Sequence, residues 1–294
     1  MQLKNAVDPF GEVNVHQQPD GCLRIIATIL MEPVKEGAQT GIAIDGSGSM
    51  QKAFGATAMV STLFASTAVN YVNPVAQQMC SYLANKVDAD GGTTAIYWAT
   101  GPAGAQIEEI GDLTAQQAES FDFKGPQSWG TGTQLLPAVQ YFVERFDDAE
   151  WGMYVFVSDG TIDDMDAVKD YTRQLATDID VGRRFPVKLV LIGLGDDVNE
   201  AQLLELDDLD TGTDLDIWDH KLAAEMRHLA EIFAEVVDEN VRVADSGVIK
   251  DSHGNLIKNY ADVGLPAYLD FTLPPDSTSF TLEVAGQAVT QPLS

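Results

Sequence analysis

Basic side chains are scarce in this 294-residue chain: 17 Lys and Arg stand against 45 Asp and Glu, a formal net charge of -28. Most of such a surface repels a phosphate backbone or an anionic membrane, which argues against nucleic acid as a partner. Acidity of this kind suits solubility or a salty habitat better than one dedicated cationic partner. Cysteine is nearly absent. Cys22 and Cys80 are too few for a disulfide framework and form no C-x-x-C pair, as expected in a reducing compartment. Long apolar runs are missing too: the longest near the start, Ile25 to Met31, is interrupted by Thr28 and is far too short to span a bilayer. No basic start, apolar stretch and small-residue cleavage site follow one another there, so a soluble cytoplasmic protein is expected. The four histidines, His16, His220, His228 and His253, are scattered without an H-E-x-x-H. They read as solvated or packed side chains rather than zinc ligands.

What is present is enough apolar material for a packed core, 45% of residues. Residues 11–34 look extended: "GEVNV", a "PDG" turn at 19–21, then "CLRIIATILMEPV", together a hairpin. From Thr40 the texture becomes strand, loop and helix in alternation, the pattern of a mostly parallel sheet covered by helices. Short apolar runs at 40–44, 92–100, 151–159 and 186–195 predict strands buried on both faces, and "AQIEEIGDL" (105–113) an antiparallel neighbour of the second. Helices are expected at about 75–87, 133–146, 163–176, 198–206 and 220–239. In the last, Leu222, Met226, Leu229, Phe233 and Val236 or Val237 form one stripe. The segment 51–73 is small, apolar and almost uncharged; it fits a helix whose outer face could meet a partner. After Val241 the alternation returns to period two in "VRVADSGVIKD", "YLDFTLP" and "SFTLEVAG". These signals predict an α/β domain over 37–240, inserted into a small β-sandwich built from 1–36 and 241–294.

In an open parallel sheet, functional groups collect where strands end and loops lead into helices. "GIAIDGSGSM" (41–50) places Asp45, Ser47 and Ser49 at such an end, "WGTGTQLLPAV" (129–139) offers Thr133 before a helix, and "FVSDGTIDD" offers Asp159 after a strand. Thr131 competes with Thr133, which is preferred because Gly132 precedes it and a helical pattern follows. Two carboxylates and three hydroxyls are hard oxygen ligands, suited to Mg²⁺, with Mn²⁺ or Ca²⁺ as substitutes, far better than to Zn²⁺. Gly46 and Gly48 supply the freedom for the loop to curl and the alternate side chains to converge. Such an ion keeps a position for an outside carboxylate. Asp163 and Asp164 suit the first turn of a helix better than an auxiliary ion site, and "VDADGG" (87–92) reads as a turn, lacking the spaced ligands of a calcium loop. Hydrolase and nucleotide readings fail on detail: no G-x-S-x-G, no phosphate-cradling loop, and Ser47 where a D-x-D phosphatase needs an acid.

Together "DGSGSM", "GTQLLPAV" and "VFVSDG" resemble the metal-ion-dependent adhesion site of von Willebrand factor A (vWA) domains: D-x-S-x-S, a distant Thr and a distant Asp. Residues 87–100 and 191–210 further resemble the bacterial tellurium-resistance and copine-like branch of that family. The resemblance covers roughly residues 38–240. It implies a Rossmann-like α/β fold, with Asp45, Ser47, Ser49, Thr133 and Asp159 as metal ligands, directly or through water. It also implies a recognition module, not an enzyme, whose metal completes its shell with a Glu or Asp of a partner protein, in a stress-response or tellurium-resistance-like setting. The segment 51–73 is longer than that branch usually has. Two alternatives remain: a Mg²⁺-dependent hydrolase, which would need a general base beside Ser47 that the sequence does not offer, and a metal-free scaffold with a vestigial motif.

Overall fold

Period-two alternation puts Ile25, Ala27 and Ile29 on one buried side, and a bulge between Phe10 and Val13 lets both of these join it. In the computed structural model, which describes residues 2–56, 69–196, 198–213, 215–261 and 263–293, these residues lie on β1 (Phe10–Gln17) and β2 (Leu23–Ile29), an antiparallel pair. The chain divides into two compact units, residues 36–236 and residues 1–35 with 237–294.

The first of these units alternates strands and helices: β3 (Ala38–Asp45), α1 (Val72–Lys86), β4 (Gly92–Thr100), β5 (Gln106–Thr114), α2 (Ala115–Ser120), α3 (Leu136–Arg145), β6 (Trp151–Ser158), α4 (Met165–Asp180), β7 (Val187–Leu194), α5 (Glu200–Asp207), β8 (Trp218–Ala223) and the start of α6 (Met226–Asn240). Its six strands run in the order β5-β4-β3-β6-β7-β8, all parallel except the β4–β5 pair. Both faces of the sheet are covered, as the apolar runs require. Ala43, Ile96, Trp98, Tyr154, Phe156, Leu189 and Leu191 pack into one cluster with Val139 and Phe142 of α3 and Leu175 and Ile179 of α4. The residues between them, Ile42, Ile44, Val155, Val157, Val190 and Ile192, are equally buried and face the other way. At about 1.5–3 kcal/mol for each buried large apolar side chain, these two layers dominate the stability of the unit. Phe142 stacks on Tyr154 at 5.1 Å, and Gly41 is what admits it, since a Cβ there would stand 2.3 Å from the Phe142 ring. On the helix α6, Leu229 and Phe233 are buried, and Phe233 meets Tyr82 of α1 edge-on at 6.3 Å.

Two expectations are corrected here. Residues 220–223 are not the first turn of a helix over 220–239 but the end of the edge strand β8, paired with β7, and Leu222 is 39% exposed. Leu222, Met226 and Leu229 keep helical spacing by coincidence: buried Ile217 and Trp218 dock against the sheet first, and the helix starts only at Met226. The short helix α2 was not expected, although its start carries a capping box, with Thr114 accepting from the Gln117 N–H and the Gln117 side chain accepting from the Thr114 N–H. Of the uncharged segment 51–73, residues 57–68 lie outside the described residues. Its described ends are a 3₁₀ turn, Gly48–Lys52, and the first turn of α1.

In the second unit, β9 (Arg242–Ala244), β10 (Val248–Asp251), β11 (Leu256–Asn259), β12 (Leu265–Pro266), β13 (Tyr268–Leu273), β14 (Ser279–Val284) and β15 (Gln287–Pro292) follow. β13 joins β1 and β2 in the order β1-β2-β13, while β11-β10-β14-β15 form a second antiparallel sheet and β9 pairs with β12. Phe280 of the second sheet meets Phe10 and Phe271 of the first at 5.2 and 5.1 Å, edge to face. β11 and β15 carry few buried side chains, which is why the sequence pattern passed over them.

Candidate metal centre

Strand order reverses between β3 and β6: from β3 the chain moves to β4 on one side, and from β6 to β7 on the other. Loops diverge at such a point and leave a crevice beyond the carboxyl ends of the two strands. Asp45 is the last residue of β3, and Asp159 follows β6 directly. The register aligns Ile44 with Val157, so Asp45 comes level with Ser158.

Asp45 is wholly buried. One carboxylate oxygen accepts from the Ser47 N–H at 2.7 Å and the other from the Ser158 hydroxyl at 2.7 Å. The Ser47 and Ser49 hydroxyls are 2.9 Å apart, and Ser49 donates to Asp159 at 2.6 Å. Four of the five expected ligand residues thus form one linked set, running from the buried Asp45 to the exposed Ser49. Burial pushes the Asp45 carboxyl up to about 6; the bonds from Ser47 and Ser158 oppose this, and the nearby Asp159 charge adds to it.

Thr133 comes to the same place through its loop. Gly130 pairs with the Asp45 loop on both sides: Gly48 N–H donates to its carbonyl and its own N–H donates to the Gly46 carbonyl, each at 2.9 Å. A Cβ at Gly130 would lie 1.8 Å from the Ala99 carbonyl, so only glycine allows this approach. Thr133 N–H donates to Asp163 at 2.8 Å while Asp163 N–H returns a bond to the Thr133 carbonyl at 2.9 Å. Asp164 accepts from the Leu135 and Leu136 N–H groups at 2.8 and 3.0 Å, supplying the bonds that the start of α3 lacks. The Thr133 hydroxyl lies 3.9 Å from where a Cβ on Gly160 would be, against the loop that carries Asp159. Thr131 is turned elsewhere: its hydroxyl accepts from the Ala103 N–H at 2.9 Å.

Three details depart from sequence reasoning. Gly46 and Gly48 do not have positive φ. Gly46 is needed for room, since its Cβ would sit 2.8 Å from Thr100 and 2.9 Å from Pro126. Ser158 was missed; the signal was its position one residue before Asp159 at a strand end, where its hydroxyl reaches the neighbouring strand's terminal carboxylate. Gln202 of α5 was missed as well: it brackets Ile162, donating to its carbonyl at 2.9 Å and accepting from its N–H at 3.0 Å, and so fixes the loop after Asp159. The "VDADGG" turn is held from inside by buried Asp88, which accepts from the Thr40 N–H and hydroxyl and from the Asp90 and Gly92 N–H groups.

The donor set fits a small hard cation. A buried carboxylate near a second one is costly alone, and a divalent ion offsets both charges while taking lone pairs from the hydroxyls.

No protein-family model matches the sequence, and no curated protein matches it as a relative. Among solved structures, the chain is similar to the von Willebrand factor type A protein from Catenulispora acidiphila, with 14% identity over 92% of this chain and 67% of that one, at a TM-score of 0.47. It is also similar to the pilus adhesin SpaC from Lactobacillus rhamnosus GG, with 11% identity, 98% of this chain covered and a TM-score of 0.44; it spans about half (48%) of that adhesin. A third similar structure is the PilB minor pilin from Streptococcus sanguinis, with 10% identity, 76% of each chain covered and a TM-score of 0.43.

Proposed function

We propose that this chain is a metal-dependent protein-binding module in which Asp45, Ser47, Ser49, Thr133 and Asp159 hold Mg²⁺ and the ion captures an Asp or Glu of a partner protein. The observation that carries this reading is the linked set of oxygens from buried Asp45 through Ser47 and Ser49 to Asp159. Five side chains leave an octahedral ion one ligand short, and the ion supplies a Lewis-acid position for a carboxylate there. Asp45 forms the floor, held by Ser158; Asp163 and Asp164 fix the Thr133 loop; Ser49 and Asp159 stand at the open side. The motif resemblance to vWA domains supports the same role, and its tellurium-resistance-like branch supports a stress-response setting. The free thiols Cys22 and Cys80 favour a reducing compartment. Among the described residues, no helix is long and apolar enough to cross a membrane.

Calorimetric titration of Mg²⁺ and Mn²⁺ into wild type and Asp45→Ala tests the proposal, alongside partner capture with and without chelator. One metal ion per chain is expected in wild type and none at this site in the variant, with capture lost on chelation. An absence of metal heat in folded wild type, together with chelator-insensitive capture, overturns the reading.

A further inference from the structure

At the opposite edge of the sheet from β5, the chain folds back on itself between α5 and β8 and brings Asp207, the last residue of α5, onto Asp219 and His220 of β8. One ligand atom from each of the three lies within 4.8 Å of the others. His220 Nδ1 stands 3.3 Å from an Asp207 oxygen, yet it is buried and makes no aligned hydrogen bond, although the distance would allow one. The separation suits an ion pair and equally matches two ligands of one tetrahedral ion, which stand about 3.3–3.4 Å apart when each bond is about 2.0–2.1 Å. The backbone N–H of His220 donates to Asp219 Oδ1 at 2.7 Å, which pins that carboxylate against its own strand. Asp207 also lines an open recess of about 280 Å³ with Asp208, Asp210 and Asp216, an acidic approach that concentrates cations.

We infer that Asp207, Asp219 and His220 form a second, zinc-selective site, with three protein ligands and a fourth position open to water. An imidazole with two carboxylates suits Zn²⁺, whereas the all-oxygen set around Asp45 suits Mg²⁺. Two carboxylates balance the charge of the ion, and neutral His220 supplies the third lone pair. The sequence hides this set because Asp207 lies twelve residues before Asp219 and only the return of the chain to the sheet edge unites them. The site stands independently of the proposed Mg²⁺ function.

The test is titration of the full chain with Zn²⁺ at about pH 8, alkaline of the ordinary imidazole range, with Mg²⁺ in excess. One Zn²⁺ per chain is expected, and Co²⁺ in its place should give the intense visible bands of tetrahedral coordination. His220→Ala and Asp207→Asn should each weaken Zn²⁺ binding at least tenfold, and His253→Ala should leave it unchanged. No zinc uptake by folded wild type, or only the weak bands of octahedral Co²⁺, overturns the inference; so does uptake of equal affinity in both site variants. Should the variants fail to fold, the Co²⁺ spectrum of wild type decides. Loss of Mg²⁺ binding with Zn²⁺ uptake intact would count against the Asp45 reading alone.

Discussion

Replacing Asp45 with Asn removes a charge while keeping the shape of the side chain, and it should make the metal-free protein more stable. Burial raises the Asp45 carboxyl from the ordinary 3.8 to about 6. At about 1.36 kcal/mol per pH unit, that displacement is worth about 3 kcal/mol. The sign follows from linkage. The folded state holds the proton more tightly than the unfolded chain, so the penalty is absent below pH 3.8, grows as pH rises towards 6, and is constant above. Asn gives some of this back, because the Ser158 hydroxyl and Ser47 N–H now meet a neutral amide instead of a carboxylate. A net gain of about 1–3 kcal/mol near pH 7.5 is expected, or roughly 2–10 °C in Tm for a unit of this size. The assay is denaturant and thermal unfolding of wild type and Asp45→Asn in chelator, at pH 7.5 and pH 4, and again with saturating Mg²⁺. The variant should be the more stable in chelator at pH 7.5, and the two should converge at pH 4. Mg²⁺ should stabilise wild type alone, by about 2.7 kcal/mol at a hundredfold excess over Kd. An Asn variant less stable than wild type in chelator at pH 7.5 would show that the Asp45 charge is not a cost, and the argument from burial would fail.

Ser158→Ala should weaken Mg²⁺ binding about tenfold or more by calorimetry, since it removes the donor that orients Asp45; Ser158→Thr should restore most of it. Gly130→Ala should destabilise the protein by at least about 2 kcal/mol in urea and abolish Mg²⁺ binding, because the new Cβ would stand 1.8 Å from the Ala99 carbonyl and push the Thr133 loop away. Ala103 adopts φ 56° in the turn that donates to Thr131. Ala103→Gly should relieve about 0.5–1 kcal/mol of that strain in unfolding experiments while leaving metal affinity unchanged.

Much of the α/β unit was legible because buried parallel strands announce themselves as unbroken apolar runs, and β3, β4, β6 and β7 all do. β8 did not, since an edge strand needs only part of its length buried and "WDHKLA" carries three charged or titratable side chains. The convergence of Asp45, Ser47, Ser49 and Asp159 was legible for a related reason. Each of the three segments ends a strand or begins a helix in an alternating chain, and topology gathers such ends at one edge. The supporting contacts were not legible. Nothing in "TQLLP" or "IDDM" says that Asp163 will accept from Thr133 or that Asp164 will stand in for the missing bonds of α3, because these pairings cross about thirty residues and depend on how two loops lean together. Acids before a helix suggested its own dipole; the acids in fact serve the neighbouring helix. The glycines follow the same logic. Gly46 and Gly130 look like punctuation in sequence, but in space each yields to a specific neighbour, Thr100 with Pro126 in one case and the Ala99 carbonyl in the other. Which side chains gather at one edge can therefore be read from strand ends, whereas the precision of their arrangement resides in contacts between loops, and it is these contacts that Ser158→Ala and Gly130→Ala perturb without removing any proposed ligand.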